Sequence, residues 1–400
     1  MEMGILVILV CVGGYSMLAK RLSSTVITAP MVFITLGFCV SYFGILQVND
    51  FDEVLYLTAE VALVVLLFLD ASQVNLRHLQ KENSLPLRML TIGLPFAVLL
   101  GTLVGMLFFP TWSIALIALC AAILAPTDAA LSQAVITNNI VPENERQTLS
   151  VESGLNDGLA LPVILFFASF LTLHETQSSN YIKWLAQGGS QILIGVCVGA
   201  AVGYVCGRVF LFGESHKFSS SIYESIGVLA LSGTAYLSAT MLGGNEFISA
   251  FVAGLTFGQL VKGHCRFIYK FTESEGQILV WAAFTAIGIG LLPQAIDQLT
   301  LPVAGFILVS LFFVRPIAIY ISLLGSKTKP VTRLFMGWFG PRGLATALFA
   351  LLVSREILPE HSQAVLVVAI NAVWMSTLLH GMSAVFLAKR YGQFTAKKRR

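Results

Sequence analysis

Apolar stretches of about 20 residues follow one another along the whole 400-residue chain, separated by short polar loops. That is the length a helix needs to cross the hydrocarbon of a bilayer. With 56% apolar and only 11% charged residues, a chain of this size could not hide so much aliphatic surface in water. Backbone groups at membrane depth must be satisfied within the segment itself, so helices are expected throughout. Thirteen spans are predicted: Met3 to Ala19, Val26 to Leu46, Val54 to Val74, Leu87 to Phe109, Trp112 to Thr137, Gln147 to Leu173, Leu185 to Phe212, Ile222 to Thr240, Glu246 to Val261, Gly276 to Leu292, Leu301 to Leu324, Arg333 to Ser354 and Gln363 to Ala388. The expected fold class is an all-α polytopic membrane protein, one membrane domain over residues 1–400, with no loop long enough for a soluble domain.

Charge between the spans sets an orientation. The loops after spans 1, 3, 5, 7, 9 and 11, with the span ends beside them and the C-terminal tail, hold 20 of the 24 Lys and Arg residues. The opposite loops hold Lys183 and Arg355, while Arg315 and Arg342 lie within spans. Basic loops stay cytoplasmic, which places the N-terminus outside and the C-terminus inside. The tail ends Lys397-Lys398-Arg399-Arg400, a run expected to meet anionic lipid at the cytoplasmic face and too short to suggest nucleic acid. Glu2 precedes the first span in place of a basic leader, so that span is expected to stay uncleaved, and no regulatory tail module is expected. Cys11, Cys39, Cys120, Cys197 and Cys206 lie in apolar spans and Cys265 in a loop. Their spacing fits no metal site, and they read as free thiols serving as small apolar residues.

Two spans are interrupted near their middles. Span 5 reads Ala125-Pro126-Thr127-Asp128 and span 12 reads Gly340-Pro341-Arg342-Gly343. Proline removes an intrahelical donor and clashes with the preceding turn, so backbone is freed where a charged residue sits. Freed backbone at membrane depth is tolerated only when buried in protein or lining a wet cavity. Paired interruptions in two halves of a chain point to a transporter's binding site. Spans 5 and 12 are seven apart and so run in opposite directions, as an inverted repeat requires.

Span 6 carries the densest polar cluster, Glu152-Ser153-Gly154-Leu155-Asn156-Asp157. Ionisable groups at membrane depth mark ion or proton pathways. At about 1.5 Å per residue, Asp157, Asp128 and Arg342 lie roughly 14–16 Å from the inner ends of their spans, near the midplane of a roughly 30 Å core. Glu152 and Asn156 share one helix face, and Ser153 and Asp157 share another. The second face offers a hydroxyl and a carboxylate, ligands suited to a hard cation. The first offers a carboxylate and an amide that could hold Arg342, because a buried arginine needs a partner.

These residues resemble the NhaP-type sodium/proton antiporters of the cation:proton antiporter superfamily, related to the animal sodium/hydrogen exchangers. The resemblance rests on the thirteen spans, Thr127-Asp128 in one broken helix, Glu152-Ser153 and Asn156-Asp157 in the next, Gly340-Pro341-Arg342-Gly343 late in the chain, and Leu66-Leu67-Phe68-Leu69-Asp70 ending span 3. It implies an NhaA-like antiporter fold with inverted repeats and two broken, crossing helices. It implies that Asp157 binds cation or proton, that Ser153, Thr127 and the neighbourhood of Asp128 help hold Na+, and that Glu152 pairs with Arg342 near Asn156. It further implies a homodimer in the plasma membrane whose core helices, about 87–173 and 301–388, move against dimerisation and scaffold helices, about 1–74 and 185–292. No cofactor is expected beyond the transported Na+ and H+.

The expected mechanism follows from charge. With Glu152 and Arg342 neutralising one another, Asp157 leaves one negative charge that either one Na+ or one proton cancels. An uncompensated charge does not cheaply cross a low-dielectric barrier, so only loaded forms should alternate, giving electroneutral one-for-one exchange. Asp128 is taken as structural, compensated by half-helix dipoles. Glu60 and Glu224 are expected partners for Arg315, Glu246 is expected to be solvated or to line a vestibule, and His380 is expected to be packed and hydrogen-bonded. The glycines Gly195, Gly199, Gly203 and Gly207 permit close helix approach. The alternatives are K+/H+ exchange on the same fold, a channel, and an intramembrane aspartyl enzyme using Asp128 and Asp157. The last is disfavoured by the absence of its Gly-x-Gly-Asp pattern and of a His-Glu-x-x-His zinc motif.

Overall fold

The protein is described here by a computed structural model that covers residues 2–22, 25–46, 52–74, 85–136, 138, 140–172, 181–218, 220–262 and 275–397. Cys265, the basic residues Arg77, Lys81, Arg266 and Lys270, and the tail from Lys398 to Arg400 lie outside the described residues. Among the described residues the expected apolar spans are largely helical, apart from two interruptions. The order is α1 (Glu2–Leu22), α2 (Ala29–Tyr42), α3 (Asp52–Gln73), α4 (Leu85–Phe108), α5 (Ile114–Ile123), α6 (Ala129–Ile136), α7 (Glu143–Ser169) and α8 (Tyr181–Ser215). There follow α9 (Ser221–Met241), α10 (Glu246–Val261), α11 (Glu275–Gly290), α12 (Leu292–Asp297), α13 (Leu301–Ser322), α14 (Pro330–Trp338), α15 (Leu344–Ser354) and α16 (Pro359–Lys397). Among the described residues there is no β-strand, only an isolated bridge between Thr172 and Ile357.

Seven of these helices are long and apolar enough to cross a bilayer by themselves, and six further apolar helices are shorter. Among the shorter ones are α5 and α15, each one half of an interrupted span. Several helices outrun the apolar stretch that announced them. α7 begins at Glu143 rather than Gln147, and α16 runs from Pro359 to Lys397 rather than Gln363 to Ala388. Backbone hydrogen bonding continues into polar sequence wherever no breaker stops it, so the apolar run marks membrane depth and not helix length.

A repeat is visible in the backbone. α4 contains a π-helical segment, Met89–Gly93, and α13 contains another, Ser310–Val314. Each is followed at once by a residue and then a proline, Leu94-Pro95 and Arg315-Pro316. A proline ring collides with the carbonyl one turn back in a regular helix, and widening that turn removes the collision. Spans 4 and 11, like spans 5 and 12, are seven apart, and each wide turn is in the span just before a broken one.

Close helix crossings hold α7 in place. α10 presses on α3 so tightly that a methyl group at Gly254 or Gly258 would run into the carbonyl oxygens of Phe68 and Ser72. α3 in turn brings the carbonyl of Asp70 against Gly154 of α7. Gly195, Gly199 and Gly203 of α8 meet the backbone of α10 at Asn245, Ser249 and Ala253, so the expected glycine series is an internal helix contact. The substitution Gly254→Ala should force α3 and α10 apart and destabilise the protein by about 1–3 kcal/mol. Gly189→Ala, in open space on α8, should leave the thermal midpoint in detergent within a degree or two of the parent. Equal midpoints for the two variants would show that the α3–α10 contact yields easily.

Candidate functional site

The two interruptions meet. Between α5 and α6 the chain is unwound from Leu124 to Asp128, and between α14 and α15 from Phe339 to Gly343. The Asp128 amide donates to the Pro341 carbonyl at 2.9 Å, a backbone bond from one break to the other. Four half-helix ends therefore converge, two N-terminal and two C-terminal. N-terminal ends favour negative charge and C-terminal ends positive charge.

Asp128 serves the N-terminal pair. One carboxylate oxygen accepts from the Leu131 amide of its own helix α6 at 3.4 Å, and the other from the Leu344 amide, the first residue of α15, at 2.7 Å. Arg342 serves the C-terminal pair. Its Nη1 donates to the Gly340 carbonyl at 2.9 Å and to those of Pro126 and Ala125 at 3.4 and 3.5 Å, just beyond the ends of α14 and α5. The glycines of the second break make room for charged side chains. A methyl group at Gly343 would overlap the Asp128 carboxylate, and one at Gly340 would overlap the guanidine stem of Arg315.

The structure corrects the expected ion pair. Glu152 is held by Arg315, with Nη2 donating to Oε2 at 3.0 Å and Nη1 and Nη2 donating to Oε1 at 3.2 Å. Both side chains are about 4% exposed, so the two charges are matched where unpaired ions would be costly, although the Arg315 Nε has no partner. Arg342 makes no bond to Glu152; its Nη1 donates to carbonyls at the break and its Nε is buried without a partner. Arg315 directly follows the π-segment of α13. The wide turn inserts a residue and rotates everything after it by about 100° relative to a regular helix. Glu60, an expected partner of Arg315, instead accepts from the Tyr236 hydroxyl, and Glu224 has no bond to Arg315 either.

Thr127 lies across α7. Its carbonyl accepts from Ser153 Oγ at 2.6 Å, and its hydroxyl accepts from Asn156 Nδ2 at 2.6 Å while lying 3.4 Å from Glu152 Oε2 and Ser153 Oγ. Asn156 Nδ2 also donates to Glu152 Oε1 at 3.3 Å. Thr127, Glu152, Ser153 and Asn156 are thus one connected, fully buried network. With its proton given to the Thr127 carbonyl, the Ser153 hydroxyl keeps only lone pairs to offer.

Asp157 stands outside that network. It is 7% exposed and makes no hydrogen bond or ion pair among the described residues, and its Oδ1 is buried without a partner. The Asn156 Oδ1, on the next residue back, is likewise buried and unpartnered. A buried oxygen left unsatisfied costs about 1–3 kcal/mol, and more when charged, so a proton or a cation is the natural occupant. Asp70, Asp128 and Glu152 are the carboxylates close enough for their charge to act on Asp157. Sequence reasoning noted Asp70 only as part of a pattern ending span 3. Its signal was an acid closing the apolar run Leu66 to Leu69. Of the residues predicted to hold a cation, the structure offers Asp157 and Ser153 as free acceptors. It commits Thr127 to hydrogen bonds, and the Asp128 oxygens to helix ends.

His380 behaves as expected of a packed histidine. Each ring nitrogen meets a backbone carbonyl, Nε2 that of Trp338 at 3.1 Å and Nδ1 that of Ser376 at 3.0 Å. Ser376 Oγ lies 3.0 Å from Nδ1 and accepts from the Arg342 amide at 2.7 Å. This chain ties the second break to α16.

Comparison with known proteins agrees with this architecture. The family described as "Sodium/hydrogen exchanger, transmembrane" matches residues 6–390. The K(+)/H(+) antiporter NhaP2 of Shewanella baltica is 25% identical over 341 residues, covering 84% of this chain and 57% of its own length. The Na(+)/H(+) antiporter 2 of Zygosaccharomyces rouxii is 27% identical over 362 residues, covering 81% of this chain and 41% of its own. The chain thus spans 57% and 41% of the length of these two curated relatives. The solved structure of the sodium proton antiporter MjNhaP1 from Methanocaldococcus jannaschii at pH 8 superposes with a TM-score of 0.79 at 18% identity, covering 97% of this chain and 98% of that one. That likeness shows a shared fold.

The ion pair is open to a direct test. Arg315→Gln should leave Glu152 buried without its counter-charge and lower stability by about 3–5 kcal/mol, with most of the loss recovered when Glu152→Gln is added. In double-mutant cycles read by thermal unfolding in detergent, the coupling of Glu152 with Arg315 should exceed its coupling with Arg342. The reverse order would restore Arg342 as the partner.

Proposed function

This chain belongs to the transmembrane sodium/hydrogen exchanger family, and we propose on that premise that it exchanges Na+ for H+ across the membrane at Asp157. The observation that carries the reading is a buried carboxylate without a protein partner beside a network whose other charges are matched. Na+ takes its place at Asp157 with Ser153 Oγ and the Thr127 region at hand, and the proton takes the same carboxylate in its turn. Competition for one group couples the two movements. The protein is a carrier rather than an enzyme. An aspartyl mechanism would need Asp128 free to act, and both of its oxygens are held by helix amides.

The charge count can now be redone. Glu152 is matched by Arg315. Asp128 and Arg342, one charge of each sign, are each matched by the helix ends they cap. Asp70 and Asp157 remain, two negative charges in one apolar neighbourhood. Only forms that bring these to neutrality cross the low-dielectric barrier. Two protons do so, and so do one cation and one proton. The difference between those forms is one cation for one proton, so exchange is electroneutral whether one carboxylate titrates or two. The one-for-one expectation survives on a different set of charges from the one first counted.

The core helices, about 87–173 and 301–388, move against the scaffold helices, about 1–74 and 185–292. The protein is a homodimer of the plasma membrane, N-terminus outside and C-terminus in the cytoplasm, and serves pH homeostasis. The outer face of α1, of which only 6% of the apolar window is buried, supports a partner or lipid there. K+/H+ exchange is the second reading, favoured by the curated relatives named for K+.

Purified protein in liposomes tests these statements together. A Na+ gradient is set against a pH gradient, with the potential clamped by an ion that the carrier does not move. The reversal point should stay where the two concentration ratios are equal at every voltage, and Asp157→Asn should show no exchange while remaining folded. A carrier moving one extra charge would gain about 2.3 kcal/mol per 100 mV, and its reversal point would shift accordingly. Such a shift would remove the neutral-site argument. Exchange driven by K+ but not by Na+ or Li+ would select the second reading.

A further inference from the structure

α13, α14 and the C-terminal part of α16 enclose a groove of about 480 Å³, lined by Phe312, Pro316, Leu334, Trp338, Phe339 and Arg390 among others. Polar contacts fix its inner wall. Tyr391 stacks on Phe335 at 3.9 Å, its hydroxyl donating to Glu145 and accepting from Thr332, and Trp338 donates to Ser383 Oγ at 3.1 Å. Its floor is a tight crossing, since a methyl group at Gly337 would come within 2.8 Å of the Pro316 Cα. Its rim, Phe312, Val331, Leu334 and Phe394, is exposed. The groove is therefore a preformed apolar slot that opens sideways, out of the helix bundle.

One end of the slot is charged. Arg390 is exposed at its mouth and makes no hydrogen bond or ion pair among the described residues. Lys327, Lys329, Arg333 and Lys389 belong to the same ends of α14 and α16, and from Arg315 to Arg400 the sequence contains only two acids, Glu356 and Glu360, both before α16 turns back to this end. From Val331 to Phe339 the wall rises about 12 Å, close to the roughly 15 Å of hydrocarbon in one leaflet. A slot of leaflet depth with a guanidinium at its mouth has the shape and polarity of one lipid.

We propose that this groove binds a single anionic phospholipid, with its phosphate on Arg390 and one acyl chain lying along α14 to Trp338. A guanidinium meets phosphate bidentately, and an acyl chain fills apolar volume that would otherwise lack contacts. The occupant would brace Pro316 and Phe339, the neighbours in sequence of Arg315 and Gly340, and so the wall that holds the Glu152 carboxylate.

The test is lipid retention by purified protein offered equal parts of phosphatidylglycerol and phosphatidylcholine, read by native mass spectrometry. The parent should keep one phosphatidylglycerol per protomer in preference to phosphatidylcholine. Arg390→Gln should weaken that preference by about fivefold or more, the weight of one basic residue at an anionic surface. Leu334→Trp changes no charge but fills the slot, and should abolish retention with the thermal midpoint preserved. Val331→Phe provides a second filling variant should the first unfold. Lys389→Gln, beside the slot and not lining it, should have the smaller effect. The proposal is overturned if the parent shows no preference, if Lys389→Gln costs as much as Arg390→Gln, or if the filled groove still retains lipid. It is equally overturned if inorganic phosphate displaces the lipid, which would make Arg390 a plain anion site.

Discussion

Unwound backbone at membrane depth is the constraint on which this structure turns. Two breaks leave amides and carbonyls without helical partners where no bulk water reaches them, and the protein answers by crossing the breaks and capping them with one charge of each sign. Asp128 takes amides from α6 and α15, and Arg342 gives donors to carbonyls at the ends of α5 and α14. Each charge is stabilised by helix ends of opposite polarity, so the crossing is polar throughout and close to neutral as a unit. Such an arrangement lets broken helices exist in the middle of a bundle, and it places Thr127 directly over α7.

With that crossing settled, the remaining charges sort by whether they are answered. Glu152 is answered by Arg315 with three short donor contacts, and its lone pairs also serve the Asn156 amide. Asp157 is not answered. A helix that buries one acid in a full shell of partners and leaves the next acid, a turn and a half later, without any has separated a supporting carboxylate from a working one. The glycine contacts among α3, α10 and α7 serve the same end, because they press α7 into a fixed position from the side opposite the breaks.

Much of this was legible in the sequence, for reasons that can be named. Apolar runs of membrane length have one structural outcome, and Pro126 and the Gly340-Pro341 pair cannot continue a helix, so spans and breaks were both accessible. Helical spacing placed Glu152 with Asn156 on one face of α7, but Ser153, expected beside Asp157, is bonded to Thr127 in the network of the first face. The pairing of Arg315 was not legible, because a π-turn changes which way every later residue of α13 points, and nothing in the composition of Ser310 to Val314 announces one in advance. Even so, a proline two residues beyond such a segment, repeated at Pro95 in the sister span, is a signal that could have been read. Arg342 was drawn to Glu152 by depth, whereas the carbonyls of its own break were nearer. Asp70 was hidden in plain sight at the end of a helix whose register against α7 only the packing of Gly154 reveals.

The central claim is that cation and proton compete for Asp157, and the most direct measurement is the pH dependence of apparent cation affinity. In proteoliposomes, initial exchange rates are recorded over a range of Na+ concentrations at several pH values. If one carboxylate binds either species, the half-saturating Na+ concentration should rise about tenfold per pH unit on the acid side, the slope of one competing proton, with the maximal rate unchanged. A half-saturating concentration that stays constant while the maximal rate falls in acid would mean that the proton acts at a separate group, contradicting the account.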